Sequence, residues 1–166
     1  EHTAHMMRTT SCVAMLLIAM TLAACKSDPQ AEAPELLEKG NQLSGRKQYP
    51  EAIIEYRRAI QADPRLGPAR LQLAFAYAAT GDGLNALREY VRAADLMPED
   101  REAQTKAGTF MLLAGQFNDA QGLAERMLKR DPNDVHALVL LANALAGLKD
   151  TEGAVAAFEK AVSLDP

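Results

Sequence analysis

Few side chains in this 166-residue chain have the chemistry of a nucleophile or a metal ligand. The chain has two cysteines and three histidines, and one of the cysteines, Cys25, ends an apolar run in the stretch LAACKSDP at residues 22–29. A thiol at this place can be a core residue, a redox or metal ligand, or a nucleophile that receives a covalent modification. The residues around Cys25 decide among these roles.

The segment before Cys25 has the layout of a secretory signal peptide. Residues 1–5 precede the first methionine, so we expect them to be a cloning remnant or an over-extended reading frame. Arg8 then supplies a basic region, and an apolar run follows at residues 13–24. Because a membrane span needs about 20 apolar residues, this shorter run predicts a segment that is removed.

The end of this run, Leu22, Ala23, Ala24 and Cys25, resembles the lipobox of bacterial lipoproteins. In that family the cysteine thiol is acylated and the signal peptide is cut before it. The resemblance implies that residues 1–24 are removed, that Cys25 is lipidated, and that residues 25–32 form a tether. Several acyl chains anchor a protein stably, because each buried CH₂ contributes about 0.8 kcal/mol. The alternative is an ordinary signal peptide with an accidental cysteine.

Lipidation of Cys25 would determine both the compartment and the redox chemistry of the protein. Cys12 lies in the removed segment, so the mature chain would have no thiol for a disulfide or a thiolate metal site. The anchor predicts a protein of the bacterial cell envelope that faces the periplasm. Lys26 follows the cysteine where an aspartate would suggest inner-membrane retention, which favours the outer membrane.

A 34-residue period organises the rest of the chain. Prolines recur at this interval at Pro64, Pro98, Pro132 and Pro166, and they divide the sequence into blocks 33–66, 67–100, 101–134 and 135–166. In each block, apolar and small residues at helical spacing stand on both sides of a turn signal such as Gly81-Asp82-Gly83. Proline ends each second helix, because it lacks an N–H and disfavours the helical conformation before it. The pattern predicts four helix–turn–helix units.

This pattern resembles the tetratricopeptide repeat and covers about four-fifths of the chain. The resemblance implies an all-α fold, an α-solenoid of four antiparallel helix pairs in a right-handed superhelix. Two positions depart from it. The bulky first-helix position is Leu36 and Leu138 in the outer blocks, but Arg70 and Gln104 in the inner ones.

The last predicted helix has an apolar face formed by Val155, Phe158 and Val162. Since each repeat buries its face on the next one, we expect the sequence to be part of a longer protein. Self-association through this face is the alternative.

The composition argues against catalysis and against nucleic-acid binding. The formal net charge is −4, and there is no basic stripe of the kind nucleic-acid binding needs. His136 is the only histidine after the signal segment, so no catalytic triad, Cys-His pair or two-histidine metal site can be built. Carboxylates stand beside basic residues, as Glu55 does near Arg57 and Arg58, which is typical of solvated faces. We therefore expect no enzyme activity, no cofactor and no metal.

The remaining functional feature is a surface. In the family that the repeats resemble, the first helices line a concave groove that receives an extended or helical peptide. The matching positions here are Asn41, Leu71, Phe75, Thr105, Thr109, His136, Val139 and Asn143. The two asparagines can hydrogen-bond a peptide backbone. Leu71 and Phe75 form either an apolar pocket or a contact between helices.

Chaperone-binding members of the family hold a terminal carboxylate in a basic clamp. The corresponding positions in this sequence are Leu37, Asn41, Gln72, Glu102 and Lys106. Only Asn41 and Lys106 agree with the clamp, so the sequence predicts that this clamp is absent.

These observations together predict a non-enzymatic scaffold, anchored by lipid in the bacterial envelope, that binds a protein or peptide partner in its groove. At the level of architecture it resembles the lipoproteins that assist type IV pilus assembly, and the larger repeat lipoproteins of exopolysaccharide export and protein sorting. The alternative is a docking arm of a longer envelope enzyme, a peptidase or glycosyltransferase, with its catalytic domain beyond residue 166.

Overall fold

The computed structural model describes residues 29–165, and this part of the chain is folded entirely into α-helices and their connections. The helices are α1 (Pro29–Gly45), α2 (Tyr49–Ala62), α3 (Gly67–Ala79), α4 (Gly83–Leu96), α5 (Arg101–Leu113), α6 (Phe117–Arg130), α7 (Val135–Gly147) and α8 (Thr151–Leu164). No β-strand occurs within these residues. The predicted all-α fold with four helix pairs is therefore confirmed.

The helices stack in chain order, as expected for a solenoid. Each helix packs on the next one, and α1 also contacts α3 while α5 contacts α7. The contacts are therefore made mainly within a repeat and between adjacent repeats, which makes the fold quasi-one-dimensional. Helix α1 begins at Pro29, so its first turn includes residues 29–32, which the sequence assigned to the tether. The rest of the tether, Cys25 and the lipobox lie outside the described residues.

One backbone conformation recurs in the turn inside every repeat. Lys47, Gly81, Gly115 and Lys149 have φ angles of 62°, 83°, 71° and 65°, and they stand 34 residues apart in the sequence. A left-handed residue reverses the chain after the first helix of a pair. Glycine adopts the left-handed conformation at no steric cost, whereas lysine adopts it at some cost.

Aspartate caps begin four of the helices. The side chains of Asp82, Asp100, Asp134 and Asp150 each accept a hydrogen bond from a backbone N–H in the first turn of α4, α5, α7 and α8. Such caps satisfy donors that the helix itself leaves unpaired. The sequence placed Asp82 in a turn signal, and the structure shows that it is also a helix cap.

Tyrosines of the second helices fill the spaces between repeats. Tyr56 is fully buried against α3 in a cluster with Leu73 and Ala76. Tyr90 is also buried, and its ring centroid lies 4.8 Å from that of Phe110 in α5. Burial raises the pKa of both tyrosine hydroxyls, because a phenolate would lose its hydration.

Both departures from the repeat pattern are explained by hydrogen bonds to the preceding helix end. Gln104 Nε2 donates to the carbonyls of Ala94 and Met97, at 2.6 and 3.2 Å. Arg70 donates from Nε and Nη2 to the carbonyl of Pro64. The Ala94 carbonyl belongs to the last turn of α4, where helical carbonyls lack a partner, and Met97 and Pro64 lie just after the ends of α4 and α2. A long polar side chain at this position reaches these carbonyls, which leucine could not bond. No helix within residues 29–165 is long and apolar enough to cross a membrane.

Candidate peptide-binding groove

The first helices of repeats 3 and 4 enclose a cavity of about 310 Å³. Five of the eight groove residues predicted from the sequence line it: Thr105, Thr109, His136, Val139 and Asn143. They come from α5 and α7, which approach closely at Gly108. A Cβ at that glycine would collide with the Leu140 side chain, so the glycine permits the contact between the two helices.

The cavity has polar groups that can bind a peptide backbone. The Thr109 hydroxyl donates to the Thr105 carbonyl at 2.9 Å, and Asn143 Nδ2 donates to the Val139 carbonyl at 2.8 Å. A hydroxyl oxygen that donates still has lone pairs, and a side-chain amide still has one N–H and a carbonyl oxygen. Thr109 can therefore accept from a peptide N–H, while Asn143 can both donate and accept.

A buried hydroxyl in this cavity lacks a hydrogen-bond partner. Thr105 Oγ1 is inaccessible to solvent, and it bonds to no group among the described residues. Buried polar atoms are nearly always paired, and an unpaired one costs about 1–3 kcal/mol.

The apolar surface of the cavity comes from Leu112, Val135, Leu140 and Val139, of which Val139 is 38% exposed. His136, at the first turn of α7, is exposed, and its Nδ1 lies 3.7 Å from Asp134 Oδ1. The site thus combines an exposed apolar side chain with amide, hydroxyl and imidazole groups. Such a surface suits recognition, because apolar contact gives affinity and the few polar groups give orientation.

A second cavity of about 160 Å³ lies between α3, α4 and α5. It includes Leu71 and Phe75, for which the sequence left two interpretations open. Leu71 is 8% exposed and belongs to the core, whereas Phe75 is 45% exposed. The Phe75 ring stacks edge-to-face on Tyr49, with centroids 6.1 Å apart. Leu71 therefore serves mainly as packing, and Phe75 offers surface to a ligand.

Asn41 lies apart from both cavities. It is exposed on α1, and its Oδ1 accepts a hydrogen bond from the Tyr56 hydroxyl at 3.1 Å. This bond satisfies the hydroxyl of a tyrosine whose ring is fully buried.

Several cavity residues were not predicted from the sequence. The smaller cavity also includes Tyr90 and Glu102, and the larger one includes Val135 and Asp165. Tyr90 belongs to a second helix, and the family pattern assigns the groove to first helices only. The 34-residue spacing of Tyr56 and Tyr90 was the available signal, and it indicated core packing alone.

The carboxylate-clamp positions do not assemble a basic site. Leu37 packs beside the Tyr56 cluster, and Gln72 and Glu102 line the smaller cavity. Lys106 is the one basic residue at the five positions. Within residues 29–165 no cluster of three histidine, cysteine or carboxylate side chains could hold a metal ion.

The stacked helix pairs define an α-solenoid. A sequence model of the tetratricopeptide repeat family matches residues 112–166. The predicted repeats are thus supported by the family model over the last third of the chain, and by the helix pairs throughout residues 29–165.

Two solved structures share this fold over most of the chain. The MamA 41-end structure from Desulfovibrio magneticus RS-1 is 24% identical, with a TM-score of 0.70, and the match covers 81% of this chain and 76% of that one. The first tetratricopeptide domain of Spaghetti (RPAP3), solved with the HSP90 peptide SRMEEVD, is 26% identical, with a TM-score of 0.60. That match covers 72% of this chain and 95% of the RPAP3 domain.

Among curated proteins, the Hsp70-Hsp90 organizing protein of Triticum aestivum is 29% identical over 111 residues. The match covers 67% of this chain and 19% of the wheat protein. The chain therefore spans about a fifth of the length of the curated relatives it matches.

Proposed function

We propose that this protein is a non-catalytic scaffold that binds a segment of a partner protein in the groove between α5 and α7. The observation that carries the proposal is the cavity between α5 and α7, where five of the predicted groove residues meet and Val139 is exposed. The RPAP3 domain, which was solved with a bound peptide, has a similar fold at 26% identity. This similarity supports peptide binding as the use of the groove.

The chemistry of the groove specifies the kind of segment. The partner would place an apolar side chain against Val139, and its backbone would bond to Thr109 and Asn143. Since the basic clamp positions are unoccupied by basic residues apart from Lys106, recognition would not depend on a terminal carboxylate. An internal segment, extended or helical, fits this surface better than a chain end.

Site-specific photocrosslinking in the native host tests this proposal. A benzoylphenylalanine at Val139 should capture a defined partner segment, which mass spectrometry can identify. The same group at Leu84, which is 82% exposed in the first turn of α4, is the matched control. Capture of the same partners with equal yield at both positions would contradict groove binding.

A second part of the proposal concerns how the protein is anchored to a membrane. We propose that Cys25 is lipidated and holds the scaffold at the periplasmic side of a bacterial membrane, with the outer membrane favoured. The support is the resemblance of Leu22, Ala23, Ala24 and Cys25 to the lipobox. Pilus assembly, secretion and exopolysaccharide export are the envelope processes that such a scaffold would serve.

Metabolic labelling with an alkyne fatty acid tests the anchor. The wild-type chain should take up label and fractionate with membranes, and Cys25→Ala should lose both. Cys12→Ala is the matched control and should keep them, because it changes a cysteine inside the removed segment. Label that persists in Cys25→Ala would refute lipidation at this residue.

A further inference from the structure

An arginine-lined cavity of about 720 Å³ lies between α2 and α4, on a different face of α3 from the smaller cavity at Leu71 and Phe75. Arg70, Leu73 and Tyr77 of α3 form part of its lining. At 100° per residue these three side chains point about 100–160° away from Leu71 and Phe75. The two surfaces can therefore be occupied at the same time.

The lining of this cavity is strongly basic, although the whole chain is acidic. Five arginines and a single carboxylate line it, in a chain of net charge −4. The arginines are Arg57, Arg58, Arg70, Arg88 and Arg92, and the carboxylate is Glu89. Five of the ten arginines within residues 29–165 thus line this one cavity.

Glu89 organises the arginines but does not neutralise them. Its carboxylate bonds to Arg70 Nη1 at 2.8 Å, and Arg88 Nε and Arg92 Nη1 lie at 3.5 and 4.0 Å. One negative charge therefore faces three guanidinium groups. Across the cavity, Arg58 pairs with Glu55, which Lys39 also contacts. The cavity therefore has an excess of positive charge on both walls, which α2 and α4 form.

The accessible arginines stand where a ligand could contact them. The side chains of Arg58, Arg88 and Arg92 are 53%, 58% and 57% exposed. Guanidinium groups bind carboxylates through paired N–H donors, so they favour planar anions. Ile54, at the same cavity, is 58% exposed, and it adds an apolar contact next to the charges.

We propose that this cavity binds an acidic segment of a second protein, in which carboxylates flank an apolar side chain. The carboxylates would contact Arg88 and Arg92 on one wall and Arg57 on the other, with the apolar side chain against Ile54. A recessed site with an apolar component matches a peptide better than a flat membrane surface. The scaffold would then hold two partners, one in this cavity and one between α5 and α7. This inference does not depend on groove binding.

Fluorescence anisotropy on the full chain tests the proposal with two labelled peptides, EEIEELEE and its uncharged counterpart QQIQQLQQ. The wild type should bind the acidic peptide at least about tenfold more tightly, and the affinity should fall as salt rises. Arg88→Gln/Arg92→Gln should weaken that binding by about tenfold. Arg57→Gln, on the other wall, should weaken it by a few-fold.

Matched controls separate this site from general charge effects and from the groove. Arg126→Gln/Arg130→Gln removes two charges at the same spacing from α6 and should change the affinity less than twofold. Phe75→Ala/Asn143→Ala alters the surface of the first helices and should leave the affinity for the acidic peptide unchanged. Circular dichroism confirms that each variant is folded. Three results would overturn the proposal. The first is equal binding of the two peptides, and the second is an equal loss of affinity in either control variant. The third is binding to anionic phosphatidylglycerol vesicles but not to the acidic peptide.

Discussion

Arg70 and Glu89 form a largely buried ion pair between the two helices of repeat 2, with Nη1 and Oε2 at 2.8 Å and side chains 11% and 7% exposed. They stand 19 residues apart. At the first of these positions the other repeats have Leu36, Gln104 and Leu138, and at the second they have Glu55, Leu123 and Ala157. Repeat 2 alone therefore has charged residues at both positions, and this pair lies at the base of the arginine-lined cavity.

Removal of Glu89 alone should be strongly destabilising. Glu89→Leu leaves Arg70 buried with only the Pro64 carbonyl as its partner, and an uncompensated buried charge costs about 3 kcal/mol. The double variant Arg70→Leu/Glu89→Leu restores the apolar pattern and should regain most of that loss. Urea denaturation of both variants measures this. A double variant no more stable than Glu89→Leu would contradict this account of the pair.

Two glycine substitutions should change stability in opposite directions. In Gly40→Ala the new methyl group would collide with the fully buried Tyr56 ring, so overpacking should cost about 1–3 kcal/mol. In Gly122→Ala the nearest neighbour is Arg126 Nη1 at 3.7 Å, and the better helix propensity of alanine should contribute about 1 kcal/mol. Thermal denaturation followed by circular dichroism compares the two. Equal effects would mean that α1 does not pack on Tyr56 as described.

Glycine at the recurring left-handed position should stabilise the fold. Lys149 has a φ of 65°, which strains an L-residue with a side chain. Lys149→Gly should therefore increase the free energy of unfolding by about 0.5–1 kcal/mol. Lys106→Gly, in the interior of α5, is the control and should lower it by about 1 kcal/mol. If the urea midpoint fell in Lys149→Gly as it does in Lys106→Gly, the turn at Lys149 would not be strained.

The stability of the first repeat should decrease in acid because of Glu55. A hydrogen bond from Lys39 lowers the pKa of Glu55 most, and the charges of Lys39 and Arg58 lower it further, against a smaller rise from burial. A carboxyl with a lowered folded pKa stabilises the protein above its unfolded pKa of about 4.3. That stability is lost as the pH falls through the lower folded value.

Free energies of unfolding between pH 6 and pH 3, obtained from urea titrations, measure this effect. Glu55→Gln should be less stable than the wild type at pH 6, and the difference should shrink towards pH 3. A constant difference would show that the ion pairs of Glu55 contribute nothing.

The fold was largely predictable from the sequence because the 34-residue period predicts the helix pairs and their order. The prolines, the turn signals and the apolar spacing each specify local structure, and a solenoid is built from contacts between neighbours. The Arg70–Glu89 pair was not predictable in this way, since it depends on how α3 and α4 face each other. Only the interruption of the leucine pattern at Arg70 pointed to something unusual.

The candidate site was predictable in part. Repeat offsets brought Thr105, Thr109 and Asn143 to one cavity, because first helices stack in register. The same offsets placed Leu71 in the groove, yet it is buried in the core. Whether a side chain beside a helix contact faces solvent depends on the crossing angle of the helices, which spacing alone does not specify.

Isothermal titration calorimetry of the segment captured at Val139 tests the central claim most directly. A synthetic peptide of that segment should bind the wild-type chain with one-to-one stoichiometry. The affinity for Val139→Asp/Asn143→Ala should fall by about tenfold or more, because one change places an unpaired charge in an apolar contact and the other removes a backbone partner. Equal affinity of the variant and the wild type would contradict a partner-binding groove between α5 and α7.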